Sequence, residues 1–313
     1  MKKFKILFLL LLSLILISCS RIDAEPELDS AFDAENKEDP NDKIYTEIQE
    51  EIEVKIESDA DEEAKKPDEL IVENTIDTET IIEKYKDSES KHWGDQIEGI
   101  YYRLATDEKI AALTFDACGG SETANGYDIE IIEFLKRKKI PATLFVTKPW
   151  IEANEEAFKD IISEPLFEIG NHGNEHRPLS VITRTAYGIE STSSVREAID
   201  EIMISSKFIE SKTNKIPQYF RSGTAYTDDV SLEILKDLKM KFIGYDIAAD
   251  AGATLNGSEI LGEFQKIRPG SIILMHFNHP ESQSYEGLVK GVEFLENQGY
   301  KFGKLSDFEL IGH

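Results

Sequence analysis

Cysteine is nearly absent from this chain of 313 residues; it occurs 2 times, at positions 19 and 118. A disulfide framework is therefore excluded, and the 40% of residues that are hydrophobic have to build the core. Bases are in short supply too, with 35 Lys and Arg against 61 Asp and Glu and a formal net charge of -26. Nucleic-acid binding needs a basic face, so this balance argues for no nucleic-acid partner. No G-x-S-x-G is present, which disfavours a serine hydrolase, and neither a phosphate-loop nor a dinucleotide fingerprint occurs. Long apolar runs are also missing, except at the N-terminus.

That one run, Ile6 to Ile17, follows Lys2, Lys3 and Lys5 and is too short for a comfortable membrane span. It ends in Leu16-Ile17-Ser18-Cys19, which resembles the lipobox of bacterial lipoproteins. The resemblance implies a signal peptide over 1–18 and lipidation of Cys19. The mature chain would then be exported and anchored to a membrane at the cell envelope. An ordinary signal peptide with a chance cysteine is the alternative. Residues 20–90 hold 26 acids against 8 bases, with apolar residues scattered among them. Such a segment cannot offset its chain entropy by burial, so 19–90 is expected to be a disordered acidic tether.

Residues 91–313 are punctuated as a folded domain. Ile110–Phe115, Ala142–Val146, Phe167–Gly170, Tyr219–Phe220, Phe242–Gly244 and Ile272–Leu274 read as strands. Between them, 129–137, 152–163, 195–209, 232–238 and 289–295 carry helical apolar spacing. Strand alternating with helix predicts an α/β fold with a parallel sheet, whose chemistry collects at the C-terminal strand ends.

Those ends carry Asp116, then His172 and His176, Arg221, Asp246 and Asp250, and His276 and His279. Four of the 6 histidines fall there. His172 and His176, four apart, would share one face of a helical turn and suit one metal ion, with Glu175 as a base or supporting partner. Two surface histidines would give the same spacing. His276, closing an apolar strand, is a general-acid candidate that Asp250 or Asp246 could orient. Arg221 could hold Asp116 ionised.

The order Thr114-Phe115-Asp116, Asn171-His172-Gly173-Asn174-Glu175-His176, Phe220-Arg221, Asp250 and Leu274-Met275-His276 resembles the polysaccharide deacetylases of the NodB-homology group, carbohydrate esterase family four. The resemblance spans about 108–306. It implies a distorted (β/α) barrel of about seven parallel strands with surrounding helices. It also implies a divalent metal, usually zinc, and removal of N-acetyl groups from amino sugars of peptidoglycan or chitin-like polymers. Carried over, His172 and His176 are metal ligands and Asp116 is the base that activates water. Arg221 steadies that base, His276 is the acid that protonates the leaving amine, and Asp250 tunes it.

One position departs from the family. The usual Thr-Phe-Asp-Asp-Gly supplies a third ligand from its second aspartate, where this chain has Ala117. Asp116, Cys118 and His279 are the candidates to replace it, and Cys118 otherwise reads as a small packed residue. The segment Arg221-Ser222-Gly223-Thr224-Ala225-Tyr226 also lacks the usual Pro-Pro-Tyr. Two other readings stay open: an amide hydrolase that is metal-independent or differently metallated, and a lipoprotein that binds glycan without cutting it.

Overall fold

A computed structural model of the protein describes residues 77–312. The expected signal peptide, the lipidated Cys19 and the tether as far as residue 76 lie outside the described residues. Within the described part, the strands that matter are β1 (Ile110–Ala117), β2 (Ala142–Val146), β3 (Phe167–Asn171), β4 (Tyr219–Phe220), β5 (Lys241–Phe242), β6 (Ile247–Ala248) and β7 (Ile272–His276). All pair in parallel, in the order β5-β4-β3-β2-β1-β7-β6. They form a half-barrel of 7 parallel strands with surrounding helices, as the family resemblance implies. A short strand, Lys301–Phe302, adds to the N-terminal end of β1.

The central strands are continuous apolar runs because helices cover them on one side and the barrel interior on the other. All of β2 is buried, and so is all of β1 after Ile110. The buried polar residues of β1, Thr114 and Asp116, therefore need partners inside the protein. The helices are α1 (Thr78–Tyr85), α2 (Ile129–Lys138), α3 (Lys148–Ala153), α4 (Glu155–Ser163), α5 (Val195–Thr213), α6 (Asp229–Asp237), α7 (Gly257–Phe264) and α8 (Ser284–Asn297). Most start on a side-chain cap: Asp128 for α2, Thr147 for α3, Ser194 for α5, Asp228 for α6 and Asn256 for α7.

Helix α1 corrects the expected domain boundary. It lies in the segment read as tether, yet Ile81 and Tyr85 are buried against the core around α5 and α6. Lys84 and the Tyr85 hydroxyl both bind Asp237, at 2.6 and 3.0 Å. Two apolar side chains one turn apart were enough to dock it, despite the acidic surroundings. An antiparallel pair, Tyr101–Leu104 with Leu310–Gly312, also escapes the alternating pattern.

Candidate active site

Register places the first two functional groups side by side. β7 pairs with β1 so that His276 lies opposite Asp116, each at or near its strand's C-terminal end. Arg221 follows β4 and is fully buried. Its Nη1 donates to Asp116 Oδ1 at 2.7 Å, its Nη2 to Thr114 Oγ1 at 3.0 Å and Gly244 O at 3.1 Å, and its Nε to Ile243 O at 3.1 Å. A guanidinium gripped at every nitrogen fixes the direction of Asp116. Burial pushes the Asp116 carboxyl up, but Arg221, His172 and His276 outweigh it and hold the group below the usual carboxylate value.

His172 follows β3 and is buried. Its Nδ1 donates to the Arg221 carbonyl at 2.7 Å, which leaves the Nε2 lone pair facing the site, 3.5 Å from Asp116 Oδ2. This is the tautomer a metal-ligating histidine needs. The segment to His176 is a loop and not the helical turn the spacing suggested. His176 sits in the left-handed region at φ 59°, and the two rings meet edge to face with centroids 4.8 Å apart. Glu175 turns away: it is exposed, with its nearest cation, Arg177, at 3.9 Å.

What bends the loop is a residue that the sequence reading did not pick out. Glu201 of α5 is buried and accepts the backbone N–H of Glu175 at 2.9 Å and of Arg177 at 3.0 Å, on either side of His176. A Cβ on Gly173 would fall 2.2 Å from Glu201 Oε1, so glycine is required there, at φ 97°. Asn171 ties the loop's other end, accepting from Gly173 N at 2.7 Å and donating to Ser206 Oγ at 2.8 Å. Glu201 was detectable as an acid on the buried stripe of α5, beside Ala198, Ile202 and Ser205.

Burial raises Glu201 from the usual 4.5 to about 8 against the pull of the Arg177 and Glu175 N–H groups. A raised acid binds more protons folded than unfolded, so stability falls as pH rises from 4.5 through about 8. Gln keeps the Oε1 acceptor for both N–H groups. Glu201→Gln is therefore expected to fold and to lose that part of the slope in urea titrations between pH 5 and 8. An unchanged slope would refute the assignment.

Cys118 lies just past β1, its carbonyl accepting from Thr147 Oγ1 at 2.6 Å. Its Sγ is 3.9 Å from His172 Nε2. Among the described residues, Cys118, His172 and His176 form the group able to hold a metal ion, with ligand atoms all within 4.8 Å of one another. Burial raises the thiol, but His176, His172 and His276 reverse this and take it well below its ordinary 9.0. Cys118 is thus both packed behind the strand end and placed beside His172 and His176. Of the other candidates, His279 pairs with Glu281 at 2.9 Å instead, and Asp116 is taken by Arg221.

His276 is oriented by Asp250 and not by Asp246. The Asp250 carboxylate accepts His276 Nδ1–H at 2.9 Å, His276 N–H at 2.7 Å and Ser284 Oγ–H at 3.0 Å. Asp246 precedes β6 at the other end of the sheet and binds Ser271 at 2.8 Å. Burial works against protonating His276, yet Asp250 and Cys118 hold the imidazole well above 6.5.

A parallel half-barrel with an Asp–Arg pair, an Asp–His pair and three clustered soft and imidazole donors at its strand ends defines a hydrolase-type centre with room for one cation. Residues 103–243 match the polysaccharide deacetylase family model. The chain thus carries, over those residues, a domain of this family, the NodB or carbohydrate esterase family four type.

The peptidoglycan-N-acetylmuramic acid deacetylase PdaA of Bacillus subtilis is 25% identical over 214 residues, 66% of this chain and 74% of that protein. The solved structure of Bacillus subtilis PdaA superposes with a TM-score of 0.55 at 25% identity, covering 74% of this chain and 87% of the solved chain. BA3943 from Bacillus anthracis, a pseudoenzyme of the same family, superposes with a TM-score of 0.56 at 27% identity, covering 66% of this chain and 67% of its own.

Proposed function

We propose that this protein removes N-acetyl groups from amino sugars of a cell-envelope polysaccharide, peptidoglycan or chitin-like, using a divalent metal held by Cys118, His172 and His176. The observation that carries the reading is the convergence of those three ligand atoms within 4.8 Å beside Asp116 and His276. The substrate class rests on the likeness to PdaA. Members of this family are generally metal-dependent.

The donors would fit a zinc-class ion: one thiolate and two imidazoles, with His172 already in the ligating tautomer. Such an ion supplies Lewis acidity toward the amide carbonyl and toward water. The protein's own groups divide the proton traffic. Asp116, kept ionised by Arg221, takes the proton of the attacking water. His276, kept protonated by Asp250, delivers one to the leaving amine, without which the C–N bond does not break. Arg221 and Asp250 touch no reacting atom and act by positioning.

In the same proposal, signal peptide 1–18, lipidated Cys19 and the acidic tether attach the domain to the envelope. A Cys19→Ala chain should then leave the membrane fraction.

Ala117 and the likeness to a pseudoenzyme favour a second reading, a domain that binds glycan without cutting it. Acetate release from N-acetylglucosamine oligomers and from purified peptidoglycan decides between them. Release that a chelator stops and zinc or cobalt restores supports the first reading. Release indifferent to chelator moves the protein to metal-independent amide hydrolysis. No release under any metal leaves the binding reading.

A further inference from the structure

Beside this centre stand three aromatic rings that the reaction does not use. Trp93 lies on a short strand, Trp93–Gly94, paired antiparallel with Thr227–Asp228. Its ring is 5.7 Å from that of Tyr226, which is in turn 5.7 Å from Tyr187. Tyr187 forms the tip of the hairpin Thr185–Ala186/Ile189–Glu190 and is 77% exposed. The Arg184 guanidinium sits over the Trp93 ring at 5.5 Å. A tyrosine so exposed, held against the Tyr226 ring that in turn meets Trp93, extends a contiguous amphipathic surface; packing alone gives no reason for it.

This surface continues into the reacting centre by two routes. Tyr226 ends the loop that begins at Arg221, and that loop lies against His176: a Cβ on Gly223 would be 1.9 Å from the His176 carbonyl oxygen. The loop holds Thr224 and Ala225 at φ 67° and 60°, and the buried Thr224 hydroxyl has no hydrogen-bond partner. The second route is Tyr245, next to the Gly244 carbonyl that Arg221 grips. Burial raises its phenol to about 12, helped by Asp95 and Tyr187, with Arg221 and Asp116 also within electrostatic reach. Tyr245 is thus within electrostatic reach of both Tyr187 and the Asp116–Arg221 pair.

We propose that Trp93, Tyr187 and Tyr226 form a saccharide-stacking platform that binds a further sugar ring of the glycan chain whose N-acetyl group is being removed. A pyranose has an apolar C–H face and a hydroxyl edge. Flat rings flanked by an arginine and an acid, Arg184 and Asp95, match both. The proposal rests on the glycan reading of the site but not on turnover.

Trp93 makes a direct test possible. The chain has 2 tryptophans, and the other, Trp150, is fully buried in the core. Full-length protein held in chelator is titrated with N-acetylglucosamine oligomers of increasing length, and the tryptophan fluorescence is followed. A saturable change is expected, tightening with length. Tyr187→Ala should weaken it roughly three- to tenfold, the scale of one aromatic contact, while Tyr187→Phe binds as wild type. No change at any length, or Tyr187→Ala binding like wild type, overturns the platform. Acetate release that is present but equally efficient on long oligomers in Tyr187→Ala also overturns it, and leaves the deacetylase reading intact. Binding without acetate release supports the platform and sinks only the deacetylase reading.

Discussion

Cys118→Ala is expected to lose divalent-metal binding and, with it, nearly all acetate release. Outer-shell changes at metal sites cost ~10–100-fold in affinity, and removal of one of three protein ligands should exceed that. Cobalt gives a readout independent of turnover, because a thiolate ligand produces a sulfur-to-metal charge-transfer band that alanine abolishes. In the proposed site the thiol stands in for the family's carboxylate ligand, which is missing at Ala117: Cys118 is the very next residue, just past the same strand end. The double variant Ala117→Asp/Cys118→Ala should therefore regain part of the affinity without regaining the band. Cobalt binding to Cys118→Ala as tight as to wild type would exclude the thiol as a ligand. The cluster's charges are consistent with its role. With no cation bound, Cys118 is pushed toward thiolate and His172 toward imidazolium, so a metal ion would displace protons from the group.

The fold was largely legible because both signals that specify it are local. Apolar runs such as Ala142–Val146 matched the observed strand to the residue, since a strand covered on both faces leaves no polar position to blur its ends. Among the two-residue strands, Tyr219–Phe220 was read, but Ile247–Ala248 was not, because it has no period to detect. The site was half legible. Asp116, His172, Arg221, Asp250 and His276 stand at strand ends, and a parallel sheet brings strand ends together whatever the loops do. His176 depends instead on the path of its loop, and Glu201 on the packing of α5 against that loop. Four-residue spacing suggested a helix for His172 and His176, whereas the ring contact arises from a left-handed residue and a carboxylate supplied by α5. His279, chosen for its closeness in sequence to His276, turned out to pair with Glu281, because it stands out on the loop 277–283 beyond the strand end.

His276→Ala is the other large loss, on the order of 10²–10⁴ in kcat, the usual contribution of a positioned proton donor. Asp250→Asn separates the donor's presence from its tuning. His276 faces Asp250 and Cys118, with Asp116 on the neighbouring strand, and these anions together keep it protonated well above 6.5 despite its burial. A general acid must carry its proton when the amine leaves, so activity should fall on the alkaline side as His276 titrates. Weakening the Asp250 charge lowers the imidazole's pKa, and the alkaline limb of kcat/KM should move to lower pH, while the acid limb set by Asp116 stays in place. The same change is visible without turnover, as a lower titration midpoint of the His276 ring in metal-free protein by NMR. Stability follows the same sign. A histidine raised in the folded state stabilises fully below pH 6.5 and loses that contribution as pH rises through its folded value, so wild type should outlast Asp250→Asn most clearly in acid. An alkaline limb that stays in place in Asp250→Asn would assign proton delivery to another group and reduce His276 to a structural residue of the sheet.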